Sequence, residues 1–287
     1  MNILQDIARR LQAVYPAGEA RAVARILMED GFRLSQTDIL MGKDNELSAE
    51  QRLCVEKCVR RLLAGEPVQY VTGQCLFLGR PFSVRPGCLI PRPETEDLVA
   101  AIVENAKRRI EADGQEHPLR VLDIGTGSGC IAVSLALELG EAACVEAWDI
   151  SPEALEIACE NARKLHSTVS FRLADILKTP DSSALFDIIV SNPPYVREQE
   201  KADMEANVLQ HEPHLALFVP DNDPLLFYRS IGNHALRHLV SGGQLWLETN
   251  RYLITDTADL LESMGFLQVE TLTDRYGHPR HLKAIRP

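Results

Sequence analysis

Apolar residues in the first 65 positions recur at helical spacing. They lie three or four positions apart in ILQDIARRL and again in EARAVARILMEDG. A further helix is predicted in SAEQRLCVEKCVRRLLAG, where Ser48 and Gln51 have the spacing of a capping box and Gly65 follows the last apolar residue. The pattern predicts a small helical domain over residues 1–67.

The pattern changes character between residues 68 and 92. The run VQYVTGQCLFLGRPFSVRPGCLIPRP contains short apolar stretches, two of them separated by Gly-Arg-Pro. Such punctuation favours a β-hairpin followed by an extended connection. We therefore expect residues 68–92 to form a hairpin linker.

The remainder, residues 93–287, alternates between helix and strand signals. A helix is predicted in ETEDLVAAIVENAKRRIEADG, with a polar stretch at 113–118 after it. The strands predicted after it, RVLDI, CVEAWDI, VSFRLAD and FDIIVS, are almost continuously apolar, which is typical of a parallel sheet covered by helices on both faces. The later strands GQLWLET, LQVETLT and RHLKAIRP complete one α/β domain.

Composition and charge narrow the possible partners. The 287 residues carry a formal net charge of -11, with +2 on residues 1–85 and -13 on the rest, which argues against broad electrostatic binding of nucleic acid. No apolar run approaches the roughly 20 residues that span a bilayer, and the start MNILQDIARR lacks the order of a signal peptide. The seven cysteines show no C-x-x-C pair. We expect a cytoplasmic protein with reduced cysteines, no metal and no membrane partner.

A glycine-rich loop in VLDIGTGSGCIA lies between a predicted strand and a predicted helix. Gly125, Gly127 and Gly129 allow a tight turn and close approach of a ligand to the backbone. A nucleotide-like ligand is expected there, at the carboxyl end of the first parallel strand. The loop alone does not exclude NAD, because G-x-G-x-x-A also begins at Gly127 and Asp149 lies 20 residues after Gly129.

Acidic residues around this loop favour S-adenosylmethionine. Asp123 could place a carboxylate near the ligand's amino group, which a pyrophosphate would disfavour. Asp149 ends the second predicted strand and could accept hydrogen bonds from the ribose hydroxyls. Asp175 follows the third strand and could bind the adenine amino group, with Ile176 packed on the ring. Each acid alone would more often cap a helix or a turn, so the prediction depends on their joint placement.

The run FDIIVSNPPYV ends a predicted strand 67 residues after the first loop glycine, with Asn192, Pro193, Pro194 and Tyr195. A planar NH2 group is a poor nucleophile, because its lone pair is delocalised. The Asn192 side-chain oxygen and the Pro193 carbonyl can each accept one N–H and so orient that nitrogen. The prolines stiffen the acceptors, and Tyr195 could hold the flat group against its ring. The motif predicts methylation of a planar amino or amide nitrogen.

The motifs PVQYVTG, LIPRPETEDLV, VLDIGTGSGCIA, FDIIVSNPPYV, EPHLALFVPDNDPLLFY and SGGQLWLE together resemble the bacterial peptide chain release factor glutamine methyltransferases. The resemblance covers nearly the whole chain from about residue 66, and the helical front end also fits. It implies a Rossmann-like class I methyltransferase sheet, mostly parallel with an antiparallel last strand. It also implies methyl transfer to the glutamine of the Gly-Gly-Gln loop in class 1 release factors.

The resemblance also assigns roles to residues. Asn192 to Tyr195 would hold the substrate glutamine, with Asn192, Pro193 and Tyr195 catalytic, and Arg92 and Thr95 would shape the cofactor pocket. The expected cofactor contacts are Gly125, Thr126, Gly127, Ser128, Gly129, Asp149, Ile150, Asp175, Ile176 and Asn192.

Three alternatives stay open at this point. Ribosomal protein L3 is a related glutamine substrate, and adenine-N6 methyltransferases of nucleic acids share an Asn-Pro-Pro-aromatic motif. Third, residues 1–85 could be an interaction module attached to a degenerate scaffold, although the intact glycine loop argues against this. In the favoured interpretation, the front domain binds the release factor away from its glutamine loop.

Overall fold

A computed structural model describes residues 2–113, 117–178, 180 and 184–287 of the chain. These residues form two compact units. The first unit comprises Met1–Cys75, Val84–Pro86 and Met204–Glu212, and the second comprises Leu76–Ser83, Gly87–Asp203 and Pro213–Pro287. Positions 114–116, within the polar stretch predicted to follow the long helix, lie outside the described residues.

The regular elements alternate along the chain much as the hydrophobic pattern predicts. The helices are α1 (Ile3–Leu11), α2 (Ala17–Ile26), α3 (Gln36–Leu40), α4 (Ala49–Leu63), α5 (Val68–Thr72), α6 (Pro93–Asp113), α7 (Cys130–Leu139), α8 (Pro152–Lys164), α9 (Ala206–His211), α10 (His214–Leu217), α11 (Leu226–His238) and α12 (Ile254–Ser263). The strands are β1 (Gln74–Phe77), β2 (Arg80–Ser83), β3 (Leu119–Ile124), β4 (Ala143–Asp149), β5 (Val169–Leu173), β6 (Phe186–Ser191), β7 (Val196–Arg197), β8 (Phe218–Val219), β9 (Leu239–Glu248), β10 (Leu267–Thr273) and β11 (Pro279–Ile285). Within the described ranges, no helix combines the length and the apolar character needed to cross a membrane.

The first unit is a helical bundle with its own apolar core. Ile7 and Leu11 of α1, Leu27 directly after α2, and Val59 of α4 belong to one buried cluster. The predicted capping box at the start of α4 is confirmed, because the Ser48 hydroxyl accepts the Gln51 N–H and the Gln51 side-chain oxygen accepts the Ser48 N–H. The 3.6-residue spacing of apolar positions therefore predicted this part of the fold correctly.

The segment predicted as extended from residue 68 is helical at its start. The short helix α5 begins after Pro67, buries Val68 and Val71 in the core of the first unit, and ends at Gly73 with φ +76°. Five residues are too few for a helical period to be recognised in the sequence. The predicted hairpin does form, between β1 and β2, with Gly79 in its two-residue turn at φ +72°.

The second unit contains a seven-stranded sheet in the order β10-β11-β9-β6-β3-β4-β5. The last strand, β11, is antiparallel to both neighbours, and the pairs β9-β6, β6-β3, β3-β4 and β4-β5 are parallel. The predicted class I arrangement is thereby confirmed. Helices cover both faces, because Val121 and Ile188 lie in one buried cluster while Leu122 and Ile189, their chain neighbours, lie in another.

Strand β3 lies between β4 and β6 in the sheet. The chain proceeds outward from β3 in one direction through β4 and β5, and then returns to the other side of β3 with β6 and β9. Crevices at such a switch point are the usual ligand sites of open α/β sheets. Two contacts join the strand ends there: the Ser191 hydroxyl donates to the Ile124 carbonyl at 2.6 Å, and the Gly125 N–H donates to the Trp148 carbonyl at 2.8 Å. The loops after β3, β4 and β6 are therefore held side by side.

Candidate functional site

A cavity of about 400 Å³ opens at the carboxyl ends of the parallel strands. The loops that follow β3, β4, β5 and β6 all contribute to its wall. Nine residues expected at the site from the sequence line it: Gly125, Gly127, Asp149, Ile150, Asp175, Ile176, Asn192, Pro193 and Pro194. Seven other expected residues are outside the lining: Arg92, Thr95, Asp123, Thr126, Ser128, Gly129 and Tyr195.

The three glycines of the loop are needed for different reasons. Gly125 and Gly127 both have positive φ, and a Cβ on either would meet no atom within 4 Å, since both face the cavity. A Cβ on Gly129 would instead lie 3.1 Å from Ala158 Cβ on α8. The first two glycines leave room for a ligand, and the third allows α7 and α8 to pack closely.

Asp123 supports the loop from below and does not face the cavity. Its side chain has no exposed surface, and its Oδ2 accepts a hydrogen bond from Thr126 Oγ1 at 2.6 Å. Burial raises the pKa of Asp123 to about 7, although the Thr126 hydroxyl opposes that rise. The sequence predicted a carboxylate beside the ligand's amino group. In the structure this carboxyl group is buried and holds the loop through its hydrogen bond with Thr126.

The middle of the loop is fixed by a helix that lies beneath it. The Asn161 amide of α8 donates to the Ser128 carbonyl at 2.8 Å, and no hydrogen-bond partner for the Ser128 hydroxyl occurs among the described residues. Ser128 is 2% exposed. The Ser128 side chain is thus enclosed by protein, and the loop presents its glycine backbone to the cavity.

Asp149, at the end of β4, combines a structural role with a free face on the cavity. Its Oδ2 accepts the Gly127 N–H at 2.8 Å and its Oδ1 accepts the Ser151 N–H at 2.9 Å. Burial raises the pKa of Asp149, and these backbone donors oppose the rise. Each carboxylate oxygen retains a lone pair, so the side chain can still accept hydrogen bonds from a diol.

The wall after β5 is mainly apolar with one acid. Asp175 Oδ1 accepts the Leu177 N–H at 3.0 Å, and Lys178 Nζ lies 3.4 Å from its other oxygen. Ile150, Ile176 and Leu177 also line the cavity. Asp175 therefore caps a turn, as such residues commonly do, and also borders a slot that suits a flat ring.

The residues after β6 are anchored by a chain of side-chain hydrogen bonds. Asn192 Nδ2 donates to Thr95 Oγ1 at 3.3 Å, and Thr95 Oγ1 donates to Glu248 Oε2 at 2.7 Å. The Tyr195 hydroxyl donates to the other oxygen, Glu248 Oε1, at 3.2 Å. Tyr195 was expected to offer its ring to the substrate, but its hydroxyl points away from the cavity to this buried acid, and burial raises its pKa.

Glu248 was not assigned a role from the sequence. It ends β9 with 1% of its surface exposed, and Asn250, another buried polar side chain two positions later, donates to the Tyr195 carbonyl at 3.1 Å. Burial raises the pKa of Glu248, and Thr95, Arg280 and Tyr195 oppose that rise. A signal was present in LWLE, where an acid directly follows three apolar residues at the end of a strand.

Two further segments of the wall were given no site role from the sequence. Gly87 to Leu89, in the connection before α6, line one side of the cavity, and His214 and Leu215 of α10 line another. Neither segment belongs to a long periodic element, so the hydrophobic pattern could not place them beside the sheet.

Family models match both parts of the chain. The model described as PrmC N-terminal domain matches residues 2–73, and the model described as Methyltransferase domain matches residues 115–259. Together they account for the helical first unit and for most of the sheet that forms the cavity.

Solved methyltransferases share the fold at low sequence identity. A methyltransferase from Pyrococcus furiosus superposes with a TM-score of 0.50 and 19% identity, over 79% of this chain and 96% of that one. The T. thermophilus 16S rRNA N2 G1207 methyltransferase, in complex with AdoMet and guanosine, has a TM-score of 0.53 and 20% identity over 75% of this chain and 50% of that one. These similarities establish the fold alone.

Curated relatives match over nearly the full length. The release factor glutamine methyltransferase of Bacteroides thetaiotaomicron is 46% identical over 99% of both chains. That of Flavobacterium psychrophilum is 42% identical over 98% of this chain and 97% of its own. With the matching amino-terminal model and the cavity described above, this chain belongs to the release factor glutamine methyltransferase family.

Proposed function

We propose that this protein transfers a methyl group from S-adenosylmethionine to the side-chain nitrogen (N5) of the glutamine in the Gly-Gly-Gln motif of class 1 peptide chain release factors. The observation that carries the proposal is that Asn192 and Pro193 line the same cavity as the glycine loop and Asp149. A nitrogen-orienting motif and a nucleoside site are thereby within reach of one another. The proposed substrate acts in translation termination, so the reaction takes place in the cytoplasm.

The residues around the cavity fit S-adenosylmethionine. Open space at Gly125 and Gly127 admits the methionine part, Asp149 offers acceptors to the ribose, and Asp175 with Ile176 offers an acceptor and an apolar face to adenine. The volume of about 400 Å³ lies within the usual range of small-molecule sites, roughly 300–1,000 Å³. When bound, this cofactor supplies an electrophilic methyl group on a sulfonium sulfur.

Asn192 and Pro193 then activate the glutamine amide. Asn192 Oδ1 and the Pro193 carbonyl each accept one N–H, which fixes the amide plane and favours charge on its nitrogen. Pro193 and Pro194 have fixed φ, so the acceptors keep their positions without further ordering. The nitrogen forms its new bond to carbon as the sulfur–carbon bond breaks, and the extra proton leaves to water. Tyr195 acts in this scheme by anchoring the loop through Glu248.

Release factor recognition is assigned to the first unit. Its helices form a core of their own, and residues 2–73 match the model described as PrmC N-terminal domain. We propose that it binds a class 1 release factor at a surface away from the Gly-Gly-Gln loop. No direct contact with nucleic acid is part of the proposal, since the chain carries a net charge of -11.

The decisive experiment is methyl transfer in a purified system. The chain is incubated with S-adenosylmethionine carrying a deuterated methyl group and with an unmodified release factor, and the digest is examined by mass spectrometry. One deuterated methyl on the Gly-Gly-Gln peptide is expected. A release factor with Gly-Gly-Ala in place of that motif is the matched control and should gain none.

Parallel incubations identify the competing substrates. Ribosomal protein L3 and total RNA are offered under the same conditions. A label found in either of them and absent from the release factor would contradict the proposed function.

A further inference from the structure

The structure assigns to Glu248 the task of orienting the Asn192 amide, through Thr95, so that its oxygen and not its NH2 group faces the substrate. This inference rests on the proposed function and concerns how the site distinguishes donor from acceptor. Glu248 is a positioning residue, since its carboxylate lies one hydroxyl group away from Asn192.

The direction of each hydrogen bond follows from the chemistry of the groups. A carboxylate can only accept, so the single hydroxyl proton of Thr95 is committed to Glu248 Oε2 at 2.7 Å. Thr95 Oγ1 is then left with lone pairs alone on its other side. Its neighbour Asn192 must present a donor to it, and the only donor on that side chain is the Nδ2 group, at 3.3 Å.

The consequence for the cavity is geometric. The oxygen and nitrogen of a carboxamide lie on opposite sides of one carbon, so fixing Nδ2 on Thr95 turns Oδ1 of Asn192 the other way. Asn192 lines the cavity, and an acceptor is what an NH2 substrate requires. If the Asn192 amide were flipped, its own NH2 group would face the NH2 group of the substrate, and neither could accept a hydrogen bond. The carboxylate at the end of the chain decides between the two orientations.

Both carboxylate oxygens of Glu248 accept a hydrogen bond from a neighbouring hydroxyl group. Its second oxygen is occupied by the Tyr195 hydroxyl at 3.2 Å, so each oxygen receives a donor. Arg280 favours the charged form electrostatically, whereas Glu94 and burial disfavour it. Thr95 is 2% exposed, so water has little access to compete for these bonds. As long as the carboxyl group is ionised, these hydrogen bonds have fixed directions: Asn192 donates to Thr95, and both Thr95 and Tyr195 donate to Glu248.

The test uses two substitutions and one rescue. Glu248→Gln keeps the shape of the side chain but allows it to donate, which frees the Thr95 proton to turn towards Asn192. Thr95→Val removes the relay. We expect each to lower kcat by about 10-fold or more while the Kd for S-adenosylhomocysteine stays within about twofold. The double variant should be no slower than the slower single variant, because both break the same chain. Thr95→Ser retains the hydroxyl and should restore most of kcat.

A pH profile separates orientation from simple loss of structure. The wild-type kcat should fall at acidic pH as Glu248 becomes protonated, and this acidic limb should disappear in Glu248→Gln. Glu262→Gln, an exposed acid of α12, is the control and should match the wild type in rate and profile. Wild-type kcat in both Glu248→Gln and Thr95→Val would overturn the inference.

A readout without catalysis distinguishes this inference from the proposed function. The side-chain NH2 resonances of Asn192, identified by their loss in Asn192→Ala, should shift in Glu248→Gln and in Thr95→Val but not in Glu262→Gln. Unshifted resonances in both relay variants would contradict the inference even if the release factor is methylated. If the resonances shift as expected in the relay variants but the wild-type chain leaves the release factor unmethylated, the proposed substrate is refuted instead.

Discussion

At the scale of single residues, Asn192 Oδ1 is one of the two proposed acceptors for the substrate amide, and the Pro193 carbonyl is the other. We expect Asn192→Ala to lower kcat by about 10² or more, because half of the hydrogen-bonding frame for the substrate amide is lost. Single-turnover methyl transfer to a release factor measures this directly. Asn233→Ala, an exposed residue of α11, is the matched control and should leave the rate unchanged. Near wild-type turnover of Asn192→Ala would refute its role.

Gly127 and Gly129 should respond differently to the same added methyl group. Alanine at Gly127 adds backbone strain of about 1 kcal/mol and projects into open cavity space, so S-adenosylhomocysteine affinity should fall by at least about 10-fold. Alanine at Gly129 has the same strain and also approaches Ala158 at 3.1 Å, so the free energy of unfolding should fall by about 3 kcal/mol. Calorimetry and urea unfolding of both variants separate the effects. If the Gly127 and Gly129 variants lost cofactor affinity and stability equally, the separate roles given to the two glycines would be contradicted.

At the scale of elements, helix α8 joins the hairpin to the glycine loop through one buried side chain. Asn161 Oδ1 accepts the Ser83 N–H at 2.6 Å, while its Nδ2 donates to the Ser83 carbonyl at 3.0 Å and to the Ser128 carbonyl at 2.8 Å. Asn161→Ala leaves these backbone groups unpaired and should reduce the free energy of unfolding by about 3 kcal/mol. Cofactor affinity should weaken too, because the loop loses its support. A stable Asn161→Ala variant with normal cofactor affinity would show that the glycine loop keeps its conformation without the Asn161 hydrogen bonds.

The same helix shows what sequence could and could not predict. Continuous apolar runs were enough to place the neighbouring strands β3 to β6. The partners of Asn161 lie 33 and 78 positions away, and no spacing rule connects them. The two-residue strands β7 and β8 are also too short to leave a pattern. Local periodicity therefore predicted the elements, while long-range polar contacts required the fold.

The candidate site divides along the same line. The glycine loop and Asn192 to Pro194 were predicted because their residue types are unusual after a strand. Glu248 and Thr95 were not assigned as a pair, since their hydrogen bond joins positions 153 residues apart. The burial of Asp123 likewise depends on how the end of β3 packs, which the order of residues does not specify.

At the scale of the whole molecule, stability should depend on pH through buried histidines. His234 has no exposed surface, stacks on His238 with ring centroids 4.2 Å apart, and meets the edge of Trp148. Within the described part of the chain, neither of its ring nitrogens has a hydrogen-bond partner. Burial, reinforced by positive neighbours, lowers the pKa of His234 from 6.5 to about 3. The folded protein therefore strongly prefers the neutral ring.

The sign of the effect follows from the proton balance. Because the folded pKa lies below the unfolded one, this group's contribution to stability is complete above pH 6.5 and is lost as the pH falls towards 3. At pH 5 the unfolded histidine is mostly protonated and the folded one is not, which costs about 2 kcal/mol. His234→Phe fills a similar volume without titrating. We expect its free energy of unfolding to fall by about 2 kcal/mol less than that of the wild type between pH 7.5 and pH 5, as measured by urea unfolding. Parallel pH dependences of the two proteins would show that His234 is protonated in the folded state or that this part of the chain opens before it titrates.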